Sequence, residues 1–239
     1  ARQLGFRWAA SGEGVLARSL ASGFPRDGEC VPVNAAALYG SYDFAPGPDV
    51  GAGLALPDGG GGPMRLFFRD HCLSDLIGFV YSRIDPRAAA ADLLERLRRC
   101  GRAAYAATPD PVISVILDGE NALEYYPNNG REFFRALYGG LSSDPELRAV
   151  TFSEAMELEP RGRLGHVVPG SWINANFDIW IGAEEDNRSW NLLGEAREFF
   201  GRAEQQPPPN LGREQLELAR EELLIAQGSD WNWWYGPEH

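Results

Sequence analysis

The sequence predicts an α/β protein whose first two-thirds alternate strand and helix and whose last third is helical. Three observations carry that prediction. Short apolar runs stop abruptly on charge, Met64 to Phe68 at Arg69, Asp70 and His71, and Val112 to Leu117 at Asp118, Gly119 and Glu120. Between them stand helix signals such as Asp85 followed by Pro86, a cap and then a first-turn proline. Beyond about residue 160, apolar residues recur mainly at helical spacing.

Taken in order, Phe6 to Ala10 reads as a short strand and Glu13 to Leu20 as a helix. Residues 46–63 hold four Pro and seven Gly, too broken for regular structure, and read as a surface loop. After the Met64 strand a helix is expected with Ser74 and Asp75 near its start and Leu76, Ile77 and Phe79 to pack. Ala90, Leu93, Leu94 and Leu97 give the segment behind Pro86 a helical stripe. Val112 to Leu117, uncharged and rich in β-branched residues, reads as a strand buried on both faces. A turn at Tyr125 to Gly130 precedes a helix from about Arg131 to Leu141 with Phe134, Leu137 and Tyr138 on one face. Ala149 to Thr151 is expected as a brief strand, and a helix opens at Ser153. Two later helices, one with Trp190, Leu193, Phe199 and Phe200, the other with Leu216, Ala219 and Leu223, are split by Pro207 to Pro209.

Composition excludes several function classes. A net charge of −12 argues against nucleic acid, whose phosphates demand a basic surface. All 22 basic residues are Arg, which excludes Schiff-base chemistry and a phosphate-loop lysine, so Gly59 to Gly62 is a loop rather than a phosphate cradle. No run approaches the roughly 20 apolar residues of a membrane helix, and the first residues lack a signal-peptide core. Cys30, Cys72 and Cys100 are odd in number and form no CxxC pair; they are expected as buried free thiols, which favours a reducing, cytoplasmic location.

Four constellations carry chemistry. Asp118 and Glu120 end an apolar run, at the sheet edge where α/β proteins keep their active sites. Arg69, Asp70 and His71 end a second run on the same edge. Adjacent Asp70 and His71 point apart on an extended segment, so an Arg–carboxylate clamp is expected in preference to a metal site. From Gly170 to Trp180, Ser171, Asn174, Asn176 and Asp178 stand among the aromatics Trp172, Phe177 and Trp180, a pattern that fits either sugar recognition or a loop whose Trp fills the core. Finally Asp230, Trp231, Trp233, Trp234 and Tyr235 crowd polar and aromatic groups in the manner of a site wall.

Together the blocks at residues 69–79, 117–126, 169–182 and 229–236 resemble glycoside hydrolase family 57, in particular its amylopullulanase-like members. The resemblance implies a (β/α)7 barrel followed by a helical region. Here residues 1–160 would form the C-terminal portion of the barrel, and residues 161–239 a loop and helical region completing the catalytic domain. It implies retaining hydrolysis of α-glucans, α-1,4 and α-1,6 links among them, or glucanotransferase or branching chemistry, without a cofactor or metal. A non-catalytic glucan-binding relative is the alternative of another class. Asp118 matches the acid/base, with Glu120, Arg69, Asp70 and Asp75 in support. Trp172, Asn174, Asp230, Trp231 and Trp233 match candidate sugar contacts. Partial burial beside a second carboxylate is expected to suit Asp118 to donating a proton. Leu123 stands where the family usually has Trp. The nucleophilic glutamate is expected in an upstream segment of the same polypeptide, before the stretch that includes Gly5 to Trp8; Glu13 is the nearest substitute but matches a different segment. The 239-residue piece alone is therefore expected to be inactive and marginally folded, because a barrel lacking strands exposes sheet edges.

Overall fold

The structure is a computed structural model that describes residues 5–45 and 64–236; the loop expected at 46–63 lies outside them. The chain forms two compact units, Ala1–Ala175 and Asn176–His239.

The first unit is built on a mixed four-stranded sheet of order β1-β3-β2-β4. β1 (Trp8–Gly12) runs parallel to β3 (Met64–Arg69), in register from Trp8 opposite Arg65 to Gly12 opposite Arg69. β2 (Tyr42–Phe44) lies antiparallel to β3, and β4 (Gly162–Leu164) parallel to β2. Alternating strand and helix predicted a parallel sheet; the antiparallel step comes from β2, a three-residue strand too short to show a period. Likewise β4 was not foreseen, and the strand expected at 149–151 is absent: Thr151 instead caps α6 (Phe152–Ala155), accepting from the Glu154 amide.

Both faces of β3 are covered, as its apolar run requires. Phe67 packs under Trp8 and Phe152 on one side, while Phe68 joins Tyr42 and the main core on the other. The segment 112–117 is not a strand, which corrects the expectation. It makes one parallel bridge, Ser114 to Arg69, and the Asp70 amide donates to the Ser114 carbonyl at 2.9 Å. Gly12 already occupies the other side of Arg69, so segment 112–117 continues the β2 side of β3 beyond Leu66, where β2 has ended. Ile113, Val115 and Leu117 pack on the core, and only Ser114 of the segment is fully buried.

Helices cover the sheet. α1 (Glu13–Leu20) follows β1 and buries Val15 and Leu16; α2 (Ala35–Leu38) buries Ala35 and Leu38. The helix after β3 is capped by Asp70, not Ser74: its Oδ1 accepts from the Leu73 amide at 2.8 Å, opening α3 (His71–Asp75). A π-helical turn, Leu76–Val80, then buries Ile77 and leaves Phe79 exposed. α4 (Pro86–Tyr105) starts as predicted, with Asp85 accepting from the Arg87 and Ala88 amides, and buries Leu93, Leu94, Cys100 and Ala104. α5 (Arg131–Ser143) packs on it through Phe133 and Leu137; Tyr138, expected on that face, is exposed.

The cysteines depart from expectation too. Cys30 and Cys72 form a disulfide with Cα atoms 5.8 Å apart, and only Cys100 is a free, buried thiol. Although far apart in sequence, they meet because α3 starts beside the turn that ends at Cys30. The cysteine argument for a reducing compartment therefore falls. No described helix is long and apolar enough to cross a membrane.

In the second unit, α7 (Glu184–Gln205) and α8 (Arg213–Ala226) pair, with Arg220 against Glu204 and over the Phe200 ring. A 3₁₀ turn, Asp230–Trp234, packs Trp231 on Trp190 and Trp233 on Trp180.

Candidate active site

Parallel pairing puts the carboxyl ends of β1 and β3 at one edge, and the bridge through Ser114 brings the third apolar segment to the same edge. Each of the three chain segments leaves that edge on an acid. Glu13 follows Gly12, Asp70 follows Arg69, and Asp118 comes shortly after Ser114. A cleft of about 310 Å³ opens there, lined among others by Ser11, Arg69, Leu117, Asp118, Ser171 and Trp172.

Asp118 is solvent-exposed rather than partly buried, because the chain turns outward after Leu117. Glu120 is exposed in that turn and does not line the cleft. Arg69 clamps the Asp75 carboxylate at 3.0 Å, with the His71 imidazole 3.2 Å from the other Asp75 oxygen. The Arg69 guanidinium lies 4.6 Å over the Trp172 ring, while its Nε is buried without a hydrogen-bond partner among the described residues. Arg69 thus joins the clamp to the aromatic wall of the cleft.

Trp172 is held over the end of β1 by contacts from α1. The Val168 amide donates to the Ser19 hydroxyl at 3.0 Å, and Arg18 donates to the Ala175 carbonyl. Gly12 permits the approach, since a Cβ there would sit 3.0 Å from the Trp172 Cα and carbonyl oxygen. Asn174 is exposed and holds a left-handed backbone at φ 52°. Asp230, Trp231 and Trp233 lie in the second unit, where the Trp231 indole donates to the Ala226 carbonyl at 3.1 Å.

Glu13, named from the sequence as the nearest substitute for the nucleophile but not assigned, follows the end of β1 as Asp70 follows that of β3. Its Oε2 accepts from the His71 amide at 2.9 Å and from Arg26, and no described residue donates to Oε1. Burial holds the Glu13 carboxyl above the usual range. The His71 amide and the Arg26 guanidinium pull against that rise, and the Asp70 charge adds to it. Asp70 is fully buried and accepts from Arg26 at 3.0 Å, from the Tyr39 hydroxyl at 2.5 Å and from the Leu73 amide. Among the described residues no group of His, Cys, Asp and Glu side chains could hold a metal ion.

Acids thus stand at the carboxyl edge of the sheet, where α/β enzymes keep their chemistry, beside a cleft with one aromatic wall. The model of glycosyl hydrolase family 57 matches residues 1–168, and the chain belongs to that family. Among solved structures, it is similar to the crystal structure of 4-alpha-glucanotransferase from Thermococcus litoralis, at 17% identity and a TM-score of 0.49. That match covers 85% of this chain and 27% of the other, so the chain spans about a quarter of that protein's length. No curated protein matches the sequence.

Proposed function

We propose that this chain carries the acid/base half of the catalytic centre of a retaining enzyme acting on α-glucans, amylopullulanase-like in type, with Asp118 as acid/base and the nucleophilic glutamate supplied by an upstream segment of the same polypeptide. One observation supports it above the others: the bridge between Arg69 and Ser114 brings Asp118 to the carboxyl edge of the sheet, where it lines a cleft walled by Trp172. The upstream glutamate attacks the anomeric carbon while Asp118 protonates the departing glycosidic oxygen. Asp118 next takes a proton from water, or from a sugar hydroxyl, which attacks the glycosyl–enzyme ester and releases the carboxylate. Asp118 is exposed in the free protein, and a glucan filling the cleft would cover it.

In this reading Arg69 and Asp75 fix the Trp172 ring against one sugar, and Asp70 and Glu120 serve from behind and beside the acids. Asn174 offers an amide to hydroxyls, and Asp230, Trp231 and Trp233 give the second unit a glucan-contacting surface. The mixed sheet is taken as part of the (β/α)7 barrel that the family resemblance implies.

Asp118→Asn in the full-length protein is expected to lower kcat/KM on maltooligosaccharides by about 10²–10⁴-fold with little change in glucan affinity. Full turnover by the variant would sink the assignment. Glucan binding without turnover in the unsubstituted protein would favour the binding-only reading. The ratio of hydrolysed to transferred product separates a hydrolase from a glucanotransferase or branching enzyme.

A further inference from the structure

We propose that the Cys30–Cys72 disulfide is a redox switch on the cleft: when an external dithiol reduces it, the turn that carries Arg26 is released from α3, the Arg69–Trp172 wall loosens, and glucan is held less tightly. The effect on glucan rests on the cleft being the glucan site; the loosening of the wall does not.

The bond ties together two segments that meet at the carboxyl edge of the sheet. Cys30 closes a turn in which the Asp27 side chain accepts from the Glu29 and Val31 amides, at 2.9 Å each. Cys72 lies in α3, two residues beyond Asp70. Arg26 joins the same two segments, its Nη1 donating to the Cys30 carbonyl at 2.7 Å and to Asp70 Oδ2 at 3.0 Å. Asp70 is itself held by the Tyr39 hydroxyl and the Leu73 amide, so that end of the link stays fixed. Cutting the bond therefore leaves the turn tied to α3 by polar contacts alone, which can open without unfolding the core.

The turn is not at rest where the bond holds it. Cys30 has a left-handed backbone at φ 68°, which a residue with a Cβ adopts only where its surroundings impose it. Freed of Cys72, Cys30 can return to the ordinary region, and the turn changes shape as it does. The change reaches the cleft through α3. With five residues, that helix keeps its place by its anchors rather than by its own hydrogen bonds, and Cys72 is the covalent one. Asp75 stands three residues further on, one helical turn away on the same face. It holds Arg69 at 3.0 Å, and the Arg69 guanidinium lies 4.6 Å over the Trp172 ring at the cleft wall.

The exchange chemistry follows from exposure. Cys72 is partly exposed and Cys30 is buried, so a thiolate of the dithiol attacks Cys72 Sγ. The S–S bond breaks, and the Cys30 sulfur leaves as a thiolate and takes up a proton. The second thiol of the dithiol then displaces Cys72 from the mixed disulfide. Two electrons have passed to the protein, and the dithiol leaves as its own disulfide. Cys100 stays out of the exchange, although its sulfur lies 3.8 Å from the Cys30 carbonyl. Burial pushes its thiol up to about 11, the Tyr39 hydrogen bond opposing and the Asp70 charge adding to the rise, so little thiolate forms. A third cysteine beside the bond therefore does not scramble it.

The test compares the full-length protein oxidised and after treatment with dithiothreitol. Differential alkylation with peptide mass analysis reads the bond. Cys30 and Cys72 are expected to be blocked before reduction and labelled after it; labelling of both beforehand overturns the proposal. Hydrogen exchange reads the wall without reference to substrate. Reduction is expected to speed exchange in residues 24–33, 71–75 and 170–173 together, and a change confined to 24–33 overturns the proposal. On reduction, KM for maltooligosaccharides is expected to rise about tenfold with kcat little changed, and to recover on reoxidation. The Cys30→Ser/Cys72→Ser protein should show the raised KM with or without dithiothreitol, while Cys100→Ala keeps the full response. An unchanged KM in the reduced protein, or a response that persists in the double variant, overturns the switch. No turnover in either form overturns the glucan reading of the cleft, and the exchange data then decide the loosening of the wall by themselves.

Discussion

At the scale of single residues, the site depends on how closely the chain after β4 approaches the end of β1. Gly12 sets that distance. An added Cβ would meet the Trp172 backbone at 3.0 Å, tight enough that one segment must give by a few tenths of an ångström. Gly12→Ala is therefore expected to displace Trp172, raise KM for maltooligosaccharides more than it lowers kcat, and destabilise the protein by about 1–3 kcal/mol. Steady-state kinetics together with thermal melts check this; an unchanged KM would show that Trp172 does not contact the glucan. The residues that sequence reasoning singled out divide accordingly. Arg69, Asp118 and Trp172 line one cleft because strand ends and α1 bring them there, and Asp75 joins through its ion pair with Arg69. Nothing in local sequence distinguishes Asp70, fully buried and locked by three donors, from the exposed His71 that follows it. That difference arises only when Arg26 and Tyr39 arrive from elsewhere in the chain.

At the scale of elements, starts were more legible than faces. Asp85 and Pro86 open α4 where the sequence says they should, because a carboxylate accepting two free amides and a preset proline φ act within one turn. Asp85→Ala should cost about 1 kcal/mol, read as a lower midpoint in urea unfolding. Pro86 still defines the start in that variant, so a collapse of the fold would contradict the local account. The segment 112–117 shows the opposite case. Its composition is that of a buried strand, yet strand pairing needs partners along its length, and it finds one bridge, at Ser114. Apolar patterning reports burial, and Ile113, Val115 and Leu117 do pack on the core; it does not report whether a ladder of hydrogen bonds exists. The short strands β2 and β4 escaped notice for the complementary reason that three residues carry no measurable alternation.

At the scale of the whole molecule, a covalent tie crosses the site. The Cys30–Cys72 disulfide closes a loop of 42 residues in sequence separation and clips the Arg26 turn to the start of α3. Loop-closure entropy puts its contribution at up to about 4 kcal/mol. Cys30→Ser is expected to lower the melting temperature, and reductant should lower that of the unsubstituted protein but not of the variant. Equal melting with and without reductant in the unsubstituted protein would count against the bond. By itself the sequence determined the α/β character of the chain, the charged ends of its apolar segments, the starts of α1, α4 and α5 and the resemblance to family 57. Those properties are written in neighbouring residues, through side-chain periodicity, capping and turn chemistry. Only the tertiary structure decided which acids share an edge, that Glu13 stands between Arg26 and the His71 amide, and that two distant cysteines meet. Such contacts join residues tens of positions apart. No local preference encodes them; they exist because packing the apolar faces of β1, β3 and segment 112–117 leaves their polar ends together.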